Sequence, residues 1–149
     1  KKANYDYYEK RTLHDSSLSL STHSILASDI DEKDLAYKLF QEATKIDLGE
    51  NMKTSDHGIH AASLGGLWQI VVNGFGGVRM VGGNLRINPK LPENWSRLSF
   101  SFMWKGNKLD IELTKEGIKI EVKDEMLEEI EILVYDKKYV LNQILKIKF

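Results

Sequence analysis

Gly74-Phe75-Gly76-Gly77-Val78-Arg79-Met80-Val81-Gly82-Gly83 decides the fold, because the hydrophobic period changes once along the chain and changes here. Upstream, apolar residues recur at three and four. Leu18, Leu20, Ile25 and Leu26 are roughly helical in spacing, and Asp15, Ser16 or Ser17 is placed to cap that helix by accepting a bond from a first-turn N–H. Leu35, Ala36, Leu39, Phe40, Ala43 and Ile46 form one apolar stripe, which predicts a second helix over 31–45, ended by Leu48-Gly49. A third helix is expected from Ile59 or His60 to Asn73. There Ala61, Ala62, Leu64, Leu67, Trp68, Ile70 and Val71 are apolar nearly all round, so the helix should be deeply buried.

Downstream the pattern is short and alternating, bounded by turn formers, which is the signature of strands. Leu98, Phe100 and Phe102 alternate with Ser99, Ser101 and Met103; Leu109, Ile111 and Leu113 follow, then Ile118, Ile120 and Val122. With hairpin turns at Gly106-Asn107 and Glu116-Gly117, these strands form an antiparallel meander. The runs 131–135, 138–141 and 144–149 are candidates for further strands, and 124–129 is too charged to be buried. The glycines at 74, 76 and 77 permit a tight turn between the two halves. They follow no strand and lack a phosphate-loop Lys, which argues against nucleotide binding. The fold class is α+β.

Composition narrows function by exclusion. Lys and Arg number 21 against 22 Asp and Glu, so no general basic field attracts nucleic acid or a membrane surface. The lack of Cys removes disulfides, thiolate metal sites and a Cys nucleophile, and leans toward a reducing compartment. No secretory leader or bilayer-length apolar run is read, so a cytoplasmic location is expected. Neither half looks self-sufficient: a helix apolar nearly all round would expose a patch large enough to drive association unless upstream helices cover it.

The chemistry-bearing residues cluster at helix starts. Ser16 and Ser17, beside Asp15, read as a cap or as hydroxyl donors to a ligand; His60 and Ser63 stand at the start of the third helix. Arg11 and His14 could add charge there, though Arg11 could equally pair with Glu9 or Asp15. Asp56 suits a turn or cap as well as a substrate contact, His57 a loop, and His23 a satisfied core or interface histidine. His57 and His60 without a third ligand at fixed spacing do not make a metal site. Trp68 and Trp95 are expected in packing rather than sugar stacking, with Trp104 left open between the two.

Four blocks then point to a family: Tyr7-Tyr8-Glu9-Lys10-Arg11-Thr12-Leu13-His14-Asp15-Ser16-Ser17-Leu18-Ser19, His57-Gly58-Ile59-His60-Ala61-Ala62-Ser63-Leu64-Gly65-Gly66-Leu67-Trp68-Gln69, Gly74-Phe75-Gly76-Gly77, and Asn88-Pro89-Lys90-Leu91-Pro92-Glu93-Asn94-Trp95. In this order, over roughly 5–122, they resemble the carboxy-terminal portion of glycoside hydrolase family 65, which contains inverting maltose, trehalose and kojibiose phosphorylases. One position departs, Lys10 standing where Pro is expected, which loosens the placement of Arg11 and Thr12.

The resemblance implies that residues 1–79 end an (α/α)6 catalytic barrel and that 80–149 form a small antiparallel β-sandwich. It implies phosphate as co-substrate without a cofactor, an α-linked glucose disaccharide as substrate, and a homodimer. Phosphate or substrate contacts would fall on Arg11, Thr12, His14, Ser16, Ser17, His60 and Ser63. The general acid, a Glu, and a sugar-holding Lys-Gln pair would lie upstream, leaving this chain inactive alone. The alternatives are a hydrolase of the same family, or a noncatalytic β-sandwich module serving structure or carbohydrate binding.

Overall fold

The computed structural model describes residues 1–13, 16–49, 58–124, 126 and 129–149. The chain divides into two units, Lys1–Phe75 and Gly76–Phe149. The first holds helices α1 (Lys2–Glu9), α2 (Ser19–Asp29), α3 (Lys33–Leu48) and α4 (Ala61–Gln69), the last running on into a π-helical turn over Ile70–Phe75.

Helix α3 follows its predicted stripe. Ala36, Leu39, Ala43 and Ile46 are its buried positions, and the helix ends where the Gly49 N–H donates to the Lys45 carbonyl at 2.9 Å. Helix α1 was not anticipated, since Tyr5 is its one buried residue and the rest reads as polar.

Helix α2 packs through a face the hydrophobic pattern did not select. Its buried positions are Ser21, Ser24, Ala27 and Ser28, whereas Leu18 is exposed and Leu20, Ile25 and Leu26 are half-buried. Small side chains let helix backbones approach closely, and all three buried hydroxyls are satisfied, Ser21 Oγ by donating to the Leu18 carbonyl at 2.9 Å. Ser24 Oγ donates to the Ala36 carbonyl at 2.8 Å, and Ser28 Oγ donates to the Gly74 carbonyl at 2.9 Å. The expected side-chain cap is not made by Ser16 or Ser17: Leu18 is the N-cap residue, without a side-chain cap bond. Ser16 Oγ instead accepts the Leu18 N–H at 3.3 Å, a local turn that uses the hydroxyl before the helix begins.

Contacts along α2 fix the direction of α4. A Cβ on Gly66 would lie 2.6 Å from Ser21 Oγ, and one on Gly74 would lie 3.8 Å from Ile25 Cα. Because these approaches advance together along both segments, α2 and α4 run parallel and start at the same end. Helix α3 is joined to α2 by residues 30–32, with Asp31 in the left-handed region at φ 65°, and returns antiparallel. Its sixteen residues span about 24 Å, which brings its last turn to the end where α2 and α4 begin.

The third predicted helix is shorter and less buried than its composition suggested. Ser63, Gly66, Ile70, Val72 and Phe75 are buried, with the Phe75 ring meeting Phe40 edge-on at 5.4 Å. Leu64 and Trp68 are 43% and 53% exposed, so Trp68 is not part of the core of this unit. The helix has a small-residue face against α2 and an apolar face left open.

In the second unit the described strands are β1 (Val78–Val81), β2 (Asn84–Ile87), β3 (Arg97–Trp104), β4 (Asn107–Thr114), β5 (Gly117–Val122), β6 (Ile130–Val134), β7 (Lys137–Leu141) and β8 (Ile144–Lys148). They form two four-stranded sheets, ordered β1-β2-β6-β7 and β3-β4-β5-β8. The meander of β3, β4 and β5 is present, with Leu109, Ile111, Leu113, Ile118, Ile120 and Val122 buried in alternation.

Three details correct the sequence reading. The sheets are not wholly antiparallel, because β2 pairs with β6 in parallel, Leu85 opposite Ile132. Each hairpin turn lies one residue earlier than expected. Trp104 pairs with Asn107, leaving Lys105-Gly106 as the turn, both at positive φ as a tight primed turn requires; Thr114 pairs with Gly117, leaving Lys115-Glu116. Strands β1 and β2, hidden among glycines, form a hairpin through Gly82-Gly83 at φ 57° and 78°. The described residues of 124–129 lie outside any strand, with Asp124 and Glu129 exposed.

Candidate functional site

The parallel packing of α2 and α4 brings two of the sequence-predicted clusters to one end of the first unit. Ser16 and Ser17 lie in the turn that leads into α2, and His60 is the N-cap residue of α4, with φ −86° and ψ 78°. The His60 carbonyl accepts the Ser63 N–H at 2.8 Å and the Leu64 N–H at 3.1 Å, which starts the helix. Ser63 itself is 2% exposed and belongs to the packed face of α4. The opening of a helix concentrates partial positive charge, so this end favours an anion.

Arg11 and Thr12 are not brought into that cluster. Arg11 Nη1 donates to the Tyr7 carbonyl at 2.7 Å, with its guanidinium 3.9 Å above the Tyr7 ring. Thr12 Oγ1 donates to the Tyr8 carbonyl at 2.9 Å. Both side chains therefore bond to carbonyls of the last turn of α1, that of Tyr8 also accepting the Arg11 backbone N–H at 2.9 Å. The pairing considered between Arg11 and Glu9 is not formed; Glu9 meets His23 Nδ1 instead, which satisfies that half-buried histidine. His14, Asp15, Asp56 and His57 lie outside the described residues.

The residue missed by sequence reading is Asp47, in the last turn of α3. Its Oδ1 accepts both the backbone N–H of His60 at 3.0 Å and a bond from His60 Nδ1 at 2.9 Å. These bonds hold the Asp47 carboxyl below the usual carboxylate range. A signal was available: a carboxylate near a helix C-terminus opposes the helix dipole and so calls for a partner.

A second feature lies apart, where α1 meets α2. A cavity of about 230 Å³ is lined by Tyr5, Tyr8, Glu9, His23, Leu26 and Ile30. Burial first, and then the nearby Glu9 charge, push the Tyr5 hydroxyl up to about 12. The folded chain thus keeps a proton that the unfolded chain releases from about pH 10, so Tyr5 stabilises the fold below pH 10 and that contribution is lost as pH rises toward 12. The Tm of the full-length protein should fall across this window, and Tyr5→Phe should flatten that part of the slope. An identical slope in the variant would show that Tyr5 does not carry it. Trp104 is half-buried, and its Nε1 has no hydrogen-bond partner among the described residues. No group of three or more His, Asp or Glu side chains among the described residues is arranged to hold a metal ion.

A helical unit that opens two parallel helices at one end, followed by a unit of two sheets, defines a two-part architecture, and comparison with known proteins gives its class. Residues 1–69 match the glycosyl hydrolase family 65 central catalytic domain, and residues 78–141 match the glycosyl hydrolase family 65 C-terminal domain. The chain belongs to glycosyl hydrolase family 65. It is 43% identical over 145 residues to a kojibiose phosphorylase of Halothermothrix orenii, an alignment covering 95% of this chain and 19% of that protein. It is 46% identical over 142 residues to an α,α-trehalose phosphorylase of Thermoanaerobacter brockii, covering 95% and 18%. A solved structure from the human microbiome, assigned as a kojibiose phosphorylase, superposes with a TM-score of 0.92 at 38% identity, covering 99% of this chain and 22% of that one. The chain thus spans about a fifth of the length of the curated relatives it matches. No helix among the described residues is long and apolar enough to cross a membrane.

Proposed function

We propose that this chain is the carboxy-terminal part of an inverting glycoside phosphorylase that cleaves an α-linked glucose disaccharide with inorganic phosphate, and that it supplies the phosphate side of the site. The observation that supports it is the common end at which α2 and α4 begin, Ser16 and Ser17 leading into the one and His60 opening the other. The phosphorylases among the relatives support the same reading. In this assignment the helical unit ends an (α/α)6 barrel, the expected break at 79/80 moving back to 75/76 so that β1 stays whole, and the two sheets that follow pack as a sandwich. The open face of α4, with Leu64 and Trp68, is covered by the earlier helices of a longer protein that acts as a homodimer.

The chemistry follows from inversion. An inverting hydrolase needs one carboxylic acid to protonate the leaving oxygen and a carboxylate base to activate water. Phosphate is already an anionic nucleophile, so the base is dispensable and the protein has only to hold phosphate in line. A phosphate oxygen bonds to the anomeric carbon as the glycosidic C–O bond breaks, and the leaving oxygen takes its proton from a Glu of the longer protein. Inversion of an α-linkage gives β-glucose 1-phosphate. Hydroxyl donors at Ser16 and Ser17 and the ring of His60 suit that holding role, His14 completes the proposed set, and Ser63 fixes the helix that carries His60; Arg11 and Thr12, bonded to the Tyr7 and Tyr8 carbonyls, drop out of it. No metal or organic cofactor is required.

The test is incubation of the full-length protein with maltose, trehalose, kojibiose and nigerose, with and without phosphate. Phosphate-dependent release of glucose 1-phosphate from at least one of them is expected. Release of free glucose alone, independent of phosphate, would replace this reading with a hydrolase.

A further inference from the structure

Asp47 stands where a carboxylate gains least from its own helix, at the negative end of α3. What holds it is His60, thirteen residues on. One oxygen, Oδ1, accepts two bonds from that residue, one from the main chain and one from the ring, so both the position of the α4 start and the rotation of the imidazole are set by one group. The Asp47 side chain is 10% exposed and that of His60 34%, which leaves the carboxylate behind the ring and the ring facing out. Oδ2 is buried and has no hydrogen-bond partner among the described residues. A carboxylate kept only to cap α4 would gain stability by satisfying that oxygen; one kept for its charge need not.

The ionised carboxylate accepts hydrogen bonds and donates none. Nδ1 of His60 therefore carries the proton, and Nε2 is the ring nitrogen open to a ligand.

We propose that Asp47 is the positioning residue of the phosphate side, locking His60 with Nδ1 inward and supplying the counter-charge that lets Nε2 carry a proton toward a phosphate oxygen. This rests on the reading of His60 as a phosphate contact. With Nδ1 bonded to Oδ1 of Asp47, the ring presents Nε2 on its outer side, so one ring links Asp47 to the anion without Asp47 touching it. The arrangement parallels the carboxylates that orient metal-binding histidines, whose loss typically costs about 10- to 100-fold in affinity.

The test is Asp47→Asn in the full-length protein. Asparagine keeps the shape, and its Oδ1 can still accept the His60 backbone N–H, but the charge is gone. The KM for inorganic phosphate should rise about tenfold or more, with the KM for the disaccharide within about twofold of wild type. In a His60→Ala background the same change should add nothing, because both act through one ring. If His60→Ala raises the phosphate KM and Asp47→Asn does not, the role of Asp47 is overturned while the phosphate reading stands. If His60→Ala leaves the phosphate KM unchanged, both fall. A readout independent of the variant's folding is nitrogen NMR of the wild-type protein labelled with 15N-histidine, with the His60 signal identified by its loss in His60→Ala. A proton-bearing Nδ1 is expected, and a proton-free Nδ1 overturns the proposal.

Discussion

Replacing His60 with alanine in the full-length protein is expected to raise the KM for phosphate about 10- to 100-fold, while the KM for the disaccharide stays within about twofold. The magnitude follows from a hydrogen bond to a charged group, worth roughly 1.5–3 kcal/mol, at about 1.4 kcal/mol per tenfold in affinity. The selectivity follows from position: His60 opens α4 at the end where α2 also begins, and Asp47 holds its ring by Nδ1. Steady-state kinetics with each substrate varied in turn separates the two KM values. A variant whose phosphate dependence matches wild type would remove His60 from the site, and a rise in both KM values together would point to a disturbed fold instead. Circular dichroism and the Tm of the variant distinguish that case.

The largest effect on stability is expected from Gly77→Ala. Gly77 has φ +66°, and a Cβ there would lie 1.8 Å from the carbonyl oxygen of Asn88. That carbonyl belongs to the main chain. Its own residue donates back to the Gly77 carbonyl at 3.1 Å, just beyond the paired Val78 and Ile87, so neither strand can yield without opening the β1–β2 hairpin. We expect a loss of at least about 3 kcal/mol, combining backbone strain with the clash. Gly82→Ala is the control, since Gly82 also has positive φ, at +57°, but has open space where the Cβ would go; it should lose only about 1–2 kcal/mol. Urea unfolding of both variants decides the matter. Equal losses would mean that the approach of Asn88 has no energetic weight.

What was legible in the sequence is what leaves a periodic apolar trace. The stripe of α3 and the alternation of β3, β4 and β5 were read from the positions of Leu, Ile, Phe and Val, and the break between units from glycines. Helix α1 left no trace, because a helix that buries only Tyr5 has no period to detect. The true face of α2 was invisible for a related reason: Ser21, Ser24, Ala27 and Ser28 have the right spacing but too little hydrophobicity to outweigh Leu18, Leu20, Ile25 and Leu26. The pairs Gly106-Asn107 and Glu116-Gly117 set each turn one residue late, because Lys105 accepts positive φ beside Gly106 and Gly117 is already paired with Thr114. At the candidate site Ser16, Ser17 and His60 were named from their places before helices. For Asp47 the sequence holds only the hint of a carboxylate at a helix C-terminus; its partner lies thirteen residues away, and only the folded chain turns that interval into a hydrogen bond.

The closeness of Ser21 to Gly66 has a consequence for how such a chain can change over time. The interval between the start of α2 and the start of α4 is set by the Ser21 side chain against a glycine hydrogen, with no room for a Cβ on the α4 side. Any bulk added at either position would act as a wedge and move Ser16 and Ser17 away from His60. Helix packing and the spacing of the two helix starts are thus inherited as one trait. Variation has to find its freedom elsewhere, on surfaces where a larger residue does not change that gauge.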